Sequence, residues 1–278
     1  MAPDIGLGNW LYQRAQRTPQ RRALVFEGNS WTYAGLQQRI DRLAAALRAG
    51  GVCHGDRVGF LGLNQPAFLE TLFAAARLGA VFVPLNFRLA GPELDYIIND
   101  AGVHTLVVDA PHRPVIDGIR AQLPCRRYLS ADQPAAGWPD MASLLAAHEP
   151  LASGEPVAED EVALIMYTSG TTGLPKGAML THGNIWWNNT NGLLTIDLLE
   201  DDVSLVVAPL FHIGGLNVTT LVTWQKGGCL VLHRGFDPQR FLEDAAKYRV
   251  TTTFAVPAML LFVSQHPAFA SADLSSLR

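Results

Sequence analysis

The segment from Thr168 to Leu180, TSGTTGLPKGAML, combines three glycines, four hydroxyl side chains and one lysine. Glycines let consecutive backbone N–H groups turn toward one anion, the hydroxyls add donors, and Lys176 adds a positive charge. This combination is suited to binding a polyphosphate. A connection between a strand and a helix is ordinarily about two to six residues long, so the length of this segment also indicates a function.

The segment differs from the common nucleotide-binding loop, whose pattern is G-x-x-x-x-G-K-[ST]. Pro175 stands where that pattern requires its second glycine, and Lys176 is followed by glycine rather than by serine or threonine. The alternative interpretation is a glycine-rich surface turn that binds nothing. The density of hydroxyls and the Pro-Lys-Gly sequence favour phosphate binding.

Alternating strands and helices must position this segment. In the first half we predict strands at 58–63, 81–85, 105–109 and 162–167 and helices at 67–79, 92–102, 114–123 and 141–148. A helix then begins near Thr181, followed by strands at 204–209, 229–233 and 251–257 and helices at 215–224 and 238–248. Residues 10–51 carry two helical stretches and a hairpin-like segment at 23–33. The pattern predicts an α/β fold of layered, mostly parallel sheets with helices on both faces.

A second candidate for chemistry is His212, in the apolar sequence PLFHIGG after the predicted strand 204–209. Ligands of open α/β sheets bind beyond the carboxyl ends of the strands, which is where this residue falls. A lone histidine is more often structural than functional, so its type alone leaves both interpretations open.

Composition excludes several classes of protein. A net charge of −4 argues against a nucleic-acid-binding protein, and 49% apolar residues argue against disorder. Three widely separated cysteines form no disulfide or zinc pattern, and the eight histidines form no H-x-x-x-H pair. Neither a signal peptide nor a membrane-spanning run is visible, so we expect a soluble, cytoplasmic protein with no metal site of its own.

The sequence YTSGTTGLPKG at 167–177 resembles the signature loop of the adenylate-forming superfamily, which includes acyl-CoA synthetases, luciferases and the adenylation domains of peptide synthetases. Further similar segments occur in the same order at 31–36, 55–86 and 209–215. The resemblance covers essentially the whole chain and favours the N-terminal portion of an acyl-CoA synthetase.

In this family a carboxylate attacks the α-phosphate of Mg-ATP, giving an acyl-adenylate and pyrophosphate, and a thiol then displaces AMP. The resemblance therefore implies ATP, Mg²⁺ and coenzyme A as ligands. Bringing these anions together requires donors and cations. The residues implied to bind the β- and γ-phosphates are Thr168, Ser169, Gly170, Thr171, Thr172, Gly173 and Lys176. Thr168 is also implied in placing Mg²⁺.

The resemblance places His212 beside the acyl pocket, where we expect it to orient the substrate rather than transfer a proton. Gly214 and Gly215 either allow close approach of the acyl group or simply begin a helix. Members that activate amino acids carry an aspartate after the phenylalanine, whereas His212 follows Phe211 here. An acid without an α-amino group is therefore implied, whether fatty, short-chain or aryl, and the segment favours a fatty acid.

Family members are longer than this chain. We expect residues 1–278 to form an incomplete N-terminal AMP-binding domain, with 52–187 as one α/β subdomain and 1–51 with 188–278 as part of a second. The C-terminal domain with its catalytic lysine is expected to be absent, so the chain alone would be weakly active or inactive. We expect the missing part or a second copy as a partner. The alternatives are a domain that loads a carrier-protein thiol and a catalytically incomplete nucleotide-binding or interaction module.

Overall fold

The computed structural model describes residues 5–168 and 173–278. Its strands are β1 (Arg22–Phe26), β2 (Asn29–Thr32), β3 (Arg57–Leu61), β4 (Val81–Leu85), β5 (Val103–Val108), β6 (Arg127–Ser130), β7 (Val162–Thr168), β8 (Lys176–Thr181), β9 (Val203–Val206), β10 (Cys229–Leu232) and β11 (Thr252–Phe254). Its α-helices are α1 (Leu7–Arg17), α2 (Tyr33–Ala49), α3 (Pro66–Arg77), α4 (Gly91–Ala101), α5 (Arg113–Ile119), α6 (Met141–Ala147), α7 (His182–Thr195), α8 (Leu221–Lys226), α9 (Pro238–Tyr248) and α10 (Pro257–Gln265). A π-helix, Gly214–Thr220, runs directly into α8.

The first of two compact units contains a six-stranded sheet in the order β6-β5-β3-β4-β7-β8. All its strand pairs are parallel except β7–β8. Strands β3, β4 and β5 are almost continuously buried, as expected for parallel strands covered on both faces. Helix α4 contributes Leu94, Ile97 and Ile98 to the core against this sheet.

The second unit contains a five-stranded sheet in the order β11-β9-β10-β1-β2. Only β1 and β2, which form the hairpin expected near residues 23–33, are antiparallel. Helix α9 packs Phe241 and Leu242 against Leu205 and Val231 of this sheet. The predicted α/β class with mostly parallel sheets and helices on both faces is therefore confirmed.

The grouping of residues differs from the expected division at position 52. Residues 37–51 belong to the first unit, and residues 64–66 belong to the second. Two ion pairs that join α2 to α3 account for the placement of residues 37–51. Arg39 Nε lies 2.5 Å from Glu70 Oε1, and Asp41 Oδ1 lies 2.9 Å from Arg77 Nε.

The region around 251–257 departs from its predicted single strand. Strand β11 ends at Phe254, and Pro257 occupies the first turn of α10, where a missing N–H costs nothing. Helix α10 leaves Leu260, Leu261 and Phe262 about half exposed. None of the helices in the described ranges has both the length and the hydrophobicity needed to cross a bilayer.

Candidate functional site

The predicted phosphate segment is a β-hairpin, built from β7 and β8, at one edge of the first unit's sheet. Thr168 and Lys176 are register partners at the end of the hairpin, and both side chains are exposed. The expectation of one continuous loop from 168 to 180 is wrong, because Lys176–Thr181 pairs with β7 in six register positions. Lys176 therefore begins a strand, which fixes its position relative to Thr168.

Ser169, Gly170, Thr171 and Thr172, four of the predicted phosphate ligands, lie outside the described residues. Gly173 follows them with a φ of +108°, in the region that favours glycine. A Cβ at this position would meet no atom within 4 Å, so backbone conformation rather than space requires the glycine.

The hairpin also contacts helix α4 through Tyr167. The Tyr167 hydroxyl donates a hydrogen bond of 2.6 Å to Asp100 Oδ2 in the last turn of α4. Across the hairpin, Tyr167 pairs with Gly177, and a Cβ on that glycine would come within 3.1 Å of the tyrosine ring. Tyr167 ends the predicted strand 162–167 and begins the motif YTSGTTGLPKG, but its local sequence indicates no role for it.

The hairpin leads into α7 through a reciprocal cap. Thr181 N donates to Asn184 Oδ1 at 3.1 Å, and Asn184 N donates to Thr181 Oγ1 at 3.0 Å. Two backbone donors at the start of the helix are satisfied in this way, as in a capping box. Trp186 packs edge-on against Trp10, with 6.0 Å between the ring centroids, so its ring contributes to helix packing.

His212 lies in the second unit, in a turn that we call the His212 turn (residues 208–213). Its ring is exposed, and its Nδ1 accepts a hydrogen bond of 3.3 Å from Gly214 N. An accepting Nδ1 leaves the proton of a neutral imidazole on Nε2. The side chain can therefore offer an N–H donor to an anion without changing its protonation state.

The buried side chain of Asn64 fixes the backbone of the His212 turn. Asn64 Nδ2 donates to the Ala208 carbonyl at 2.9 Å, and Asn64 Oδ1 accepts from Leu210 N at 2.8 Å. Asn64 is only 4% exposed, so these bonds satisfy polar groups that water does not reach. Sequence reasoning missed this residue; its signal was a polar side chain three residues after a buried strand, where ligand-binding loops begin.

The glycines of the PLFHIGG segment have distinct surroundings. A Cβ on Gly215 would lie 2.2 Å from the Pro209 carbonyl oxygen, so the backbone of the His212 turn already fills the space beside it. A Cβ on Gly214 would lie 3.0 Å from the ring of Phe254. Gly214 begins the π-helix, a rare geometry that frequently occurs at functional sites.

A cavity of about 290 Å³ lies elsewhere in the second unit, between β1, β10 and α9, and the predicted site residues that the structure describes do not line it. Its charged side chains pair with their neighbours. Glu27 binds Arg234 through two hydrogen bonds of 2.9 and 3.1 Å, and Arg240 lies 3.5 Å from Asp244. The Arg234 guanidinium is therefore engaged in an ion pair with Glu27.

Comparison with known proteins identifies the family. The sequence profile described as AMP-binding enzyme matches residues 11–278. Feruloyl-CoA synthase from Amycolatopsis sp is 46% identical over 98% of this chain and 53% of that protein. Indoleacetate–CoA ligase from Aromatoleum aromaticum is 41% identical over 98% of this chain and 54% of that protein. Long-chain-fatty-acid–CoA ligase FadD13 from Mycobacterium tuberculosis is 37% identical over 98% and 54%.

A solved structure agrees with this assignment. The inhibitor-bound N-terminal domain of FACL13 from Mycobacterium tuberculosis matches with a TM-score of 0.90 at 34% identity, covering 98% of this chain and 68% of that one. The chain spans about half the length of the curated relatives it matches. It belongs to the AMP-binding enzyme family.

Proposed function

We propose that the protein takes part in the ATP-dependent ligation of a carboxylic acid to coenzyme A. The observation that carries this proposal is the β7–β8 hairpin, which holds Thr168 and Lys176 as register partners on either side of a hydroxyl- and glycine-rich segment. Relatives covering 98% of the chain are named as CoA ligases, which supports the same activity.

The reaction has two steps. A carboxylate oxygen attacks the α-phosphorus of ATP, the bond to the β-phosphate breaks, and pyrophosphate leaves. The thiolate of coenzyme A then attacks the acyl carbonyl, and AMP leaves with the bonding electrons. The first step brings several anions together, so its barrier falls when donors and a cation surround the phosphates.

The predicted phosphate ligands and His212 have proposed roles in the first step. Lys176 neutralises the β- and γ-phosphates, while the Thr168 hydroxyl contacts the Mg²⁺ that arrives bound to ATP. The remaining proposed phosphate ligands are Ser169, Gly170, Thr171, Thr172 and Gly173. His212 orients the reacting carboxylate through its Nε2 proton, because its Nδ1 already accepts from Gly214 N.

We propose an aromatic acid as the substrate class, in place of the fatty acid favoured by the sequence. The support is that the 46% and 41% identical relatives are named for ferulate and indoleacetate, whereas the relative named for long-chain fatty acids is 37% identical. His212 after Phe211 agrees with any acid that lacks an α-amino group.

Acid-dependent exchange of pyrophosphate into ATP tests this function in the protein as expressed from its gene. Ferulate and indoleacetate should drive exchange, palmitate should drive it more weakly, and phenylalanine should not drive it. Exchange with phenylalanine alone, or with no acid, would contradict the proposal. Adding either coenzyme A or a phosphopantetheinylated carrier protein to the same reaction then identifies the thiol acceptor.

A further inference from the structure

We infer that Tyr167 is a positioning residue for phosphate binding: its hydrogen bond to Asp100 holds the β7–β8 hairpin in its binding conformation. This inference rests on the proposed function of the hairpin. It concerns a residue that contacts none of the reacting groups itself and acts through Thr168 and Lys176.

The need for such a contact follows from where β8 lies. Among the described strands it is the edge strand of its sheet and pairs with β7 alone, so backbone hydrogen bonds hold it from one side. Several of its side chains are exposed, and Met179 is 66% exposed, so little hydrophobic burial adds to the pairing. Segments with few buried contacts open locally at low free-energy cost.

Tyr167, one residue before Thr168, supplies a side-chain contact that adds to the strand pairing of the hairpin. Its ring lies over Gly177, the residue that follows Lys176, and its hydroxyl reaches Asp100 Oδ2 at 2.6 Å. Thr168 therefore follows Tyr167 directly in sequence, and Lys176 precedes Gly177, which lies beside the tyrosine ring. A bond to a carboxylate is stronger than one between neutral groups.

The acceptor, Asp100, lies at a helix end that is hydrogen-bonded to a central strand of the sheet. Arg57 donates to the carbonyl oxygens of Ala101 at 2.8 Å and Gly102 at 2.9 Å, which holds the end of α4 against β3. Asp100 occupies the last turn of α4, where a negative charge opposes the helix dipole. The hydrogen bond from the Tyr167 hydroxyl offsets this unfavourable interaction of the Asp100 carboxylate.

The tyrosine remains a donor at physiological pH. Burial, the hydrogen bond to Asp100 and the negative charge of that carboxylate all raise the pKa of the Tyr167 hydroxyl above its usual value. The hydroxyl therefore keeps the proton that it donates to Asp100 Oδ2.

The test compares Tyr167→Phe and Asp100→Ala with the control Tyr33→Phe. Tyr33 also donates a hydrogen bond of 2.6 Å, to the Gly228 carbonyl in the second unit, so the control removes an equally short bond far along the chain. Two readouts are used: amide hydrogen exchange in residues 176–181, and binding of inorganic pyrophosphate with Mg²⁺ by calorimetry.

We expect Tyr167→Phe and Asp100→Ala each to weaken pyrophosphate binding about fivefold and to speed exchange in 176–181 by a similar factor. The double variant should lose no more than either single one, and Tyr33→Phe should change neither readout. Unchanged amide hydrogen exchange in both variants would overturn the inference. Faster amide hydrogen exchange together with wild-type affinity for pyrophosphate would also overturn it. If the wild-type protein binds no pyrophosphate, both the proposed function and the positioning role of Tyr167 are contradicted. Amide hydrogen exchange then still reports whether Tyr167 holds the hairpin.

Discussion

The β7–β8 hairpin and the His212 turn are held in different ways. The hairpin is an exposed sheet edge fixed by strand pairing and by the Tyr167–Asp100 hydrogen bond. The His212 turn is fixed by buried groups, namely the two hydrogen bonds of Asn64 and the close approach of Gly215 to the Pro209 carbonyl. Local opening is therefore expected to be easier in the hairpin than in the turn.

Because of this difference, we expect substitutions in the two regions to affect different properties of the protein. Substitutions that disturb the backbone of the His212 turn should lower the free energy of unfolding, because buried groups lose partners or collide. Substitutions at the end of the hairpin should weaken phosphate binding while leaving stability nearly unchanged, because those side chains are exposed.

The largest expected effect is that of Gly215→Ala. Its Cβ would lie 2.2 Å from a backbone oxygen that no side-chain rotation can move. We expect a loss of about 3 kcal/mol in the free energy of unfolding, measured by urea denaturation. Gly235→Ala is the matched control, since its Cβ would meet nothing within 4 Å. Equal stability of the two variants would contradict the close packing of the turn.

Asn64→Ala should lower the free energy of unfolding somewhat less than Gly215→Ala does. It leaves the Ala208 carbonyl and the Leu210 N–H buried without their partner, which we expect to lower the free energy of unfolding by about 2 kcal/mol. Asn99→Ala serves as the control, because Asn99 is exposed and should change stability by less than about 0.5 kcal/mol. If both asparagines behave alike in urea denaturation, Asn64 does not hold the turn.

His212→Ala should have the smallest effect on stability and a selective effect on function. We expect the KM for the acid to rise about tenfold and the KM for MgATP to stay the same, as for a lost hydrogen bond to a charged group. His266→Ala is the control, because Nδ1 of His266 also accepts a 3.3 Å bond from the backbone N–H two residues later. A change in the KM for MgATP alone would remove His212 from its proposed role.

Regular hydrophobic patterns made much of the fold predictable. The strand predicted at 81–85 and the helix predicted at 238–248 have those bounds in the structure, because a buried strand and an amphipathic helix each leave a clear pattern. Strand β8 left no such signal, since its burial does not alternate and its pairing depends on β7. Residues 215–224 were predicted as one ordinary helix, whereas the structure has a π-helix that continues into α8.

The candidate site was predictable only in part. Residue types identified Lys176, Thr168 and His212 as candidates, and their chemical roles remain predictions. Asn64 and Asp100 could not be found in this way, because each acts through a partner more than sixty residues away in sequence. Such contacts depend on tertiary structure, to which local pattern gives no access.

The most direct test of the central claim measures binding of Mg-pyrophosphate to the wild-type protein, Lys176→Ala and the control Lys226→Ala. The two variants remove the same charge, but only Lys176 lies opposite Thr168 at the end of the hairpin. We predict that Lys176→Ala binds at least tenfold more weakly and that Lys226→Ala binds like the wild type. Equal affinities in all three proteins would contradict the assignment of the β7–β8 hairpin as the phosphate-binding element.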